Sequence, residues 1–334
     1  MKVLVTGSTG FIGSRLVRHL LDAGHEVRVT ARATSDLSSL PVDDIEIAQV
    51  QLPDLDAMGK AVRGIDGVVH LASLLKVPWK KEFRTVNVGG TACVAQACAS
   101  METPPILLHV SSLAAAGPTT VGHPQVEGGP SAPVSIYGAT KLASEEAVDS
   151  VSSAVPISIV RPPMVLGSGD SASLPLFTSV ERGLHVVPTR KSMEVSAIHV
   201  DDLCTALLRV LVAGTRRGQG PDETAGLYYA AANEVVSYAD LGRLVAEAMG
   251  KRTVKVVRVP SWLSYCAAFG SEMFSRLSGK TQILTRDKWR EATAGSWTCD
   301  PTRLKNELDW VPAMPLMDRL CETADGYRRR GFLR

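Results

Sequence analysis

The chain has few cysteines and no closely paired ones. Cys93, Cys98, Cys204, Cys266, Cys299 and Cys321 are spread along 334 residues without a Cys-x-x-Cys spacing, which excludes a disulfide framework and reads instead as buried thiols in a reducing compartment. No set of metal ligands is expected. Excess charge is also missing: 36 Lys and Arg against 34 Asp and Glu leave a formal net charge of +2, scattered and not gathered into basic runs. Neither nucleic acid nor another polyanion is therefore an expected partner. No apolar run is long enough for a stable membrane span, and the N-terminus enters a strand at once, leaving no room for a signal peptide. A soluble, cytoplasmic protein is the expectation. Internal repeats and low-complexity tracts are absent too.

What is present is a chain 45% hydrophobic and 21% charged, able to bury a large core and longer than one usual domain. It is organised around its opening stretch, Lys2-Val3-Leu4-Val5-Thr6-Gly7-Ser8-Thr9-Gly10-Phe11-Ile12-Gly13. Val3, Leu4 and Val5 make a short apolar run suited to a buried strand. Gly7, Gly10 and Gly13 follow at three-residue intervals, and a helical pattern through Ile12, Leu16 and Leu20 closes at Gly24. A strand, a tight turn and a helix start bring backbone N–H groups and the positive end of a helix dipole to where a phosphate can reach them, provided no Cβ intervenes. The spacing differs from the Gly-x-Gly-x-x-Gly of the commoner dinucleotide fingerprint but serves the same end, holding a pyrophosphate.

Strands and helices then alternate. Glu26 to Arg32 reads as a second strand, Ile45 to Val50 as a third, Leu55 to Val62 as a helix and Gly67 to Ala72 as a fourth strand. Phe83 to Ala99 follows as a helix, Ile106 to Ser112 as a fifth strand and Ile157 to Val160 as a sixth. The alternation predicts an α/β fold with a doubly wound parallel sheet of the Rossmann type. That domain spans 1–166 and is joined by about 195–232, with a smaller, mostly C-terminal substrate domain from 167–194 and 233–334. At the end of the second strand an acidic side chain would bond the ribose 2′-hydroxyl of NAD; here stands Arg32, whose fork of donors suits a 2′-phosphate, with Thr30 and Ser35 as supporting hydroxyls. NADP is the expected cofactor and NAD the alternative. His70 reads as a packed core histidine, Gly117 to Ser135 as a flap over the site, and Asp201 and Asp202 as caps of a helix from Leu203 to Val212. The mostly apolar helix from Trp262 to Leu277 reads as core packing, with a greasy pocket or a bilayer surface as alternatives.

Ligands of an open parallel sheet bind beyond the carboxyl ends of its strands, so Ser111 and Ser112 point toward the glycine turn. Tyr137 and Lys141 lie four residues apart at a helix start and share one face, while Gly138 and Ala139 leave room for a ligand. A ketone accepts hydride more readily when its oxygen is protonated or hydrogen-bonded. A phenol can do this, an ammonium one turn away would lower its pKa and bond the nicotinamide ribose, and a serine would add a second hydrogen bond to the substrate oxygen. Ser112, Tyr137 and Lys141 are the candidate catalytic residues.

These features together resemble the extended short-chain dehydrogenase/reductase family, which includes the NAD-dependent epimerase/dehydratase group. The resemblance runs through the opening glycine turn, Val69-His70-Leu71-Ala72, Asn87-Val88-Gly89-Gly90-Thr91, Ser111-Ser112, Tyr137-Gly138-Ala139-Thr140-Lys141, Arg161-Pro162-Pro163, His199-Val200-Asp201-Asp202 and Leu308-Asp309-Trp310-Val311-Pro312. It implies that Gly7, Thr9, Gly10, Phe11, Ile12 and Gly13 hold the pyrophosphate, that Arg32 meets the 2′-phosphate, and that Ala72 and Ser73 border the cofactor. Ser111 and Pro162 join them, and Tyr137 and Lys141 serve both cofactor and catalysis. It also implies a homodimer pairing helices around residues 83 to 99 and 137 to 151. Where relatives carry Gly-Asp-Leu near the adenine, this chain has Val50-Gln51-Leu52, so Gln51 would bond the base as a neutral amide beside Leu52. The Asn that binds a sugar-nucleotide diphosphate in epimerases is replaced within Arg161-Pro162-Pro163-Met164. Arg-Pro-Pro, with Leu284 to Lys288 and Trp297, resembles the ketone-reducing and hydroxysteroid-dehydrogenase-like branches. The expected function is hydride transfer between NADPH and a small, fairly apolar ketone or secondary alcohol. A sugar epimerase or dehydratase is the alternative enzyme, and an NADPH-sensing binding protein is the alternative of another class.

Overall fold

The computed structural model describes residues 1–75, 80–218, 221–278 and 285–334. Leu284 of the Leu284–Lys288 pattern lies outside them. The first half of the chain supplies β1 (Lys2–Thr6), β2 (Glu26–Ala31), β3 (Glu46–Gln49), β4 (Gly67–His70), β5 (Ile106–Val110) and β6 (Ile157–Arg161). The second half adds β7 (Met164–Leu166), β8 (Leu184–Val187), β9 (Glu194–His199), β10 (Leu227–Tyr229), β11 (Val235–Ser237) and β12 (Lys255–Arg258).

Seven of these strands form one sheet in the order β10-β6-β5-β4-β1-β2-β3, every pair parallel. Strand order reverses between β1 and β4, where Val5 pairs with Val69 and Thr6 with His70. A crevice opens at such a reversal because the connecting helices leave to opposite faces. Side chains alternate between two cores. Val3, Val5, Val29 and Leu108 meet Leu203 and Leu207 of helix Val200–Ala213 on one face. Leu4, Val68, Leu107 and Ile159 meet Val94 and Val148 on the other. The sheet is thus a Rossmann-like doubly wound α/β fold, and the chain returns to it from residue 200 to the short β10 beside β6. The remaining strands make a three-stranded sheet, β11-β9-β7, and a two-stranded one, β12-β8. Around them Leu166, Phe177, Val195, Leu241, Leu320 and Tyr327 form a third core.

His70 is a packed core histidine, as expected. Its Nδ1 meets Thr6 Oγ1 at 2.7 Å and its Nε2 meets Thr91 Oγ1 at 2.9 Å, and burial drops its pKa to about 3.

Four expectations need correction. Residues 117–135 do not line the cleft. They are pinned instead to the segment 296–300, with Thr119 N donating to Ser296 O at 2.7 Å and Gln125 N to Thr298 O at 2.9 Å. Paired backbone makes this stretch a fixed strap and not a flap. Asp201 and Asp202 sit in the first turn of helix Val200–Ala213, but the side chain that caps it is His199, which accepts from Asp201 N. Asp201 reaches His19 at 3.2 Å, and buried Asp202 pairs with Arg319; the carboxylates were wanted for tertiary ties. The helix Ser261–Ser278 is not core: Trp262, Leu263, Phe269 and Phe274 are exposed. Cys266, on that helix, is exposed, whereas Cys93, Cys98, Cys204 and Cys299 are the expected buried thiols.

Candidate functional site

A cleft of about 1460 Å³ lies over the carboxyl ends of β1, β2, β4, β5 and β6. Every residue nominated above lines it: Gly7, Thr9, Gly10, Phe11, Ile12, Gly13, Arg32, Gln51, Leu52, Ala72, Ser73, Ser111, Ser112, Tyr137, Lys141 and Pro162.

Its floor is the glycine turn. Gly7 adopts a φ of +70°, and a Cβ there would stand 2.7 Å from the Ala72 nitrogen. A Cβ on Gly13 would approach the Gly7 carbonyl oxygen to 2.2 Å, so helix Phe11–Asp22 can lie against β1 only because that atom is missing. The helix opens at Gly10 with no side-chain cap and no acidic residue in its first turn, which leaves its N–H groups to an anion. The buried Ser73 hydroxyl on the same wall has no partner among the described residues. Backbone donors, a surface that a Cβ would fill and an orphaned hydroxyl fit a dinucleotide. Gly13→Ala is expected to abolish tight nucleotide binding, because overpacking costs about 1–3 kcal/mol and here the clash is with backbone. Calorimetric titration with NADPH and NADH reads the loss; wild-type affinity in the variant would take this turn out of the cofactor site.

Further along, Arg32 is exposed at the rim of the cleft. Its loop is closed by two bonds, Arg32 N to Ser35 Oγ at 3.0 Å and Ser35 N to Arg32 O at 2.9 Å. Among the described residues no carboxylate pairs with its guanidinium.

The reacting end draws on three separated segments. Ser112 begins the short helix Leu113–Ala116 and accepts from Ala114 N at 3.1 Å; it lines the cleft together with Tyr137. Helix Ile136–Asp149 carries Tyr137, Lys141 and Glu145 on successive turns. Ser135 caps it by accepting from Gly138 N at 3.0 Å. Helix Arg286–Thr293 then docks on that cap, with Glu291 accepting from the Ser135 hydroxyl and Asp287 from Ile136 N at 3.1 Å. Two carboxylates at the positive end of the tyrosine helix suit its dipole.

Ser111 and Ser112 face different ways. The Ser111 hydroxyl donates to Glu145 Oε1, so it is occupied beneath the cleft while Ser112 shares the cleft wall with Tyr137. Glu145 is itself held by Arg161 in a fork, Nε to Oε1 at 2.9 Å and Nη2 to Oε2 at 2.6 Å. Tyr229 and Ser131 accept the remaining guanidinium bonds at 3.1 Å each.

The electrostatics depart from expectation in one respect. Burial pushes the Tyr137 phenol well above its ordinary range; the nearby Ser112 hydroxyl offsets part of the rise and Glu291 adds to it. Lys141, expected to depress the phenol, donates to the Val110 carbonyl at 2.7 Å. Burial lowers its own pKa to about 8 against the upward pull of Glu145. At neutral pH the site therefore holds a protonated phenol beside a protonated amine.

Glu145 and Glu291 were not singled out from the sequence, and Asp287 only as part of the Leu284 to Lys288 pattern. For Glu145 a signal existed, since it lies one helical turn beyond Lys141 on the same face.

Residues 3–222 match the family described as the NAD dependent epimerase/dehydratase family. Over 335 aligned residues the chain is 28% identical to a ceramide reductase of Caulobacter vibrioides, covering 99% of this chain and 96% of that protein. It is 29% identical to a 3 beta-hydroxysteroid dehydrogenase/Delta 5-->4-isomerase of Mycobacterium tuberculosis over 76% of this chain and 71% of the relative. In fold it is similar to the Thermus thermophilus UDP-glucose 4-epimerase in complex with NAD, with a TM-score of 0.75, 23% identity and coverage of 98% and 99%. The chain belongs to the NAD-dependent epimerase/dehydratase family, enzymes of the extended short-chain dehydrogenase/reductase type.

Proposed function

We propose that the enzyme is an NADP-dependent oxidoreductase acting on a fairly apolar ketone or secondary alcohol, with Tyr137 as its acid/base. The observation that carries the reading is the placement of Tyr137 and Lys141, one helical turn apart, with Ser112 on the wall of a cleft floored by the glycine turn. A bound nicotinamide supplies or accepts the hydride. In reduction the Tyr137 hydroxyl gives its proton to the substrate oxygen as that oxygen gains negative charge, and Ser112 donates a second hydrogen bond to it. Lys141, an ammonium at neutral pH, stabilises the phenolate left behind and is available to the cofactor ribose. Glu145 keeps Lys141 charged. Pyrophosphate falls to the turn at Gly7, Gly10 and Gly13, the adenine to Gln51 and Leu52, and the 2′-phosphate to Arg32.

Beyond Tyr137 the cleft is lined largely by Pro163, Met164, Val165, Met193, Val195 and Trp297, with Lys288 among its polar residues. A largely apolar wall desolvates a hydrocarbon substrate, which favours the ketone reading over a nucleotide sugar. Two relatives carry names that refer to ceramide and to hydroxysteroids, in keeping with a lipid-like substrate.

Arg32→Ala tests the cofactor. Losing charge-assisted hydrogen bonds worth about 1.5–3 kcal/mol should weaken NADPH by roughly 10- to 150-fold and leave NADH nearly unchanged; equal losses for both would remove the NADP assignment. Product analysis separates the alternative enzyme, since an epimerase shows no net cofactor turnover.

A further inference from the structure

Helix Ser261–Ser278 is the least covered apolar element among the described residues. Trp262, Cys266, Phe269 and Met273 follow one another at helical spacing, with Leu263 and Phe274 beside them. Trp262 is 68% exposed and Phe274 58%, fractions at which the rings stand in solvent and do not pack. The opposite side is fixed to the protein: Ala268 is buried, Ser264 Oγ donates to Pro188 O at 2.9 Å, and Trp289 Nε1 donates to Ser264 Oγ at 2.9 Å. The face is therefore held outward by an anchored back.

Its border is cationic. Arg190, Lys191 and Arg258 are exposed next to the start of the helix, where Arg258 Nη1 reaches Arg190 O and Ser261 Oγ reaches Thr189 Oγ1, each at 3.5 Å. Arg290 is exposed on the helix packed against it, beside Lys288, whose ammonium pairs with Glu291. Between Ser261 and Phe274 the one carboxylate, Glu272, is bound to Arg286 at 2.9 Å. Apolar and aromatic side chains ringed by cations are complementary to the headgroup layer of an anionic bilayer, which takes rings at the interface and attracts Lys and Arg near its surface. No helix among the described residues is long and apolar enough to cross a membrane, so the attachment would be to one leaflet.

We propose that helix Ser261–Ser278 docks the enzyme on an anionic lipid surface, with the mouth of the cleft beside it. Pro188, which receives the Ser264 bond, and Lys288, on the adjoining helix, both line the cleft. The attachment deepens the oxidoreductase reading, on which it rests for the statement that the substrate comes from the lipid.

Flotation of the full chain with phosphatidylcholine vesicles, with and without phosphatidylglycerol, tests it in the absence of substrate. Binding should be stronger by about tenfold or more on the anionic vesicles and fall with salt. Trp262→Ser combined with Phe269→Ser should lose about tenfold or more of that binding while retaining wild-type circular dichroism and turnover of a water-soluble ketone. Arg190→Gln with Lys191→Gln should erase the anionic preference. The proposal is overturned if the wild type stays with the unbound fraction on anionic vesicles at low salt, or if the double apolar variant floats as the wild type does. Light scattering that shows a dimer in the wild type and a monomer in that variant would assign the face to a second copy and overturn it as well. Vesicle binding without ketone turnover would instead reject the oxidoreductase reading and leave the docking standing.

Discussion

Tyr137→Phe should lower kcat by about 10²–10⁴-fold, the range that a positioned general acid supplies, while the affinity for NADPH changes little. The phenolic oxygen is the only heavy atom deleted, and the ring still fills the wall it shares with Ser112. Single-turnover kinetics with the best available ketone, together with a fluorescence titration of NADPH, reads both effects. If turnover survives, the proton comes from elsewhere; if cofactor affinity falls as far as the rate, the variant has disturbed the site and not the chemistry. A sensing protein without chemistry would show no turnover to lose. The pH profile belongs to the same experiment. Lys141 gives up its proton as pH rises through about 8, so the wild-type reduction rate should decline above that value, whereas burial holds the Tyr137 proton on throughout. The alkaline limb is thus a reading of the amine.

Glu145→Ala should destabilise the protein by about 3–5 kcal/mol, the penalty for removing one partner of a buried ion pair. Arg161 and Glu145 are 5% and 6% exposed at their side chains, and the guanidinium would lose both bonds of its fork while remaining in the core. The Ser111 hydroxyl would lose its acceptor too. Glu145→Met combined with Arg161→Met should cost less than either single change, because neither charge is then left behind. Denaturant melts of the three variants give the comparison; a double variant as unstable as the sum of the singles would mean the pair is not acting as a unit. A second readout reports on the site itself. Glu145 raises the Lys141 pKa, so a folded variant lacking it should show its alkaline limb at lower pH than the wild type. A purely structural role for Glu145 would leave that limb where it was.

Sequence carried the parts of this protein that are local. The strand at Val3, the turn through Gly13 and the Tyr137–Lys141 pair each announce themselves within a dozen residues, because strand alternation, glycine spacing and helical period are short-range properties. What escaped depends on partners far along the chain. Helix Arg286–Thr293 reaches the cap of the tyrosine helix across more than a hundred residues, and the period within it says nothing about that destination. The strap at 117–135 looked like a loop because its bonding partners lie at 296–300, a pairing with no local trace. Ser111 and Ser112 could be ordered by position, but the turn of one hydroxyl toward Glu145 is decided by a carboxylate on another helix. The direction of the phenol's pKa escaped for a related reason: it follows from burial, a sum over the whole neighbourhood and not a neighbour four residues away.

Asp202 receives its two guanidinium bonds from Arg319, 117 residues later, at 2.8 and 2.6 Å, and Leu304, Leu308 and Trp310 complete the sheet face that its helix covers. On the ribosome, then, the nucleotide-binding half emerges with a carboxylate lacking its countercharge and a hydrophobic face still wet. Its consolidation waits for the segment from Leu304 to Arg319, so this half and that segment are expected to mature together.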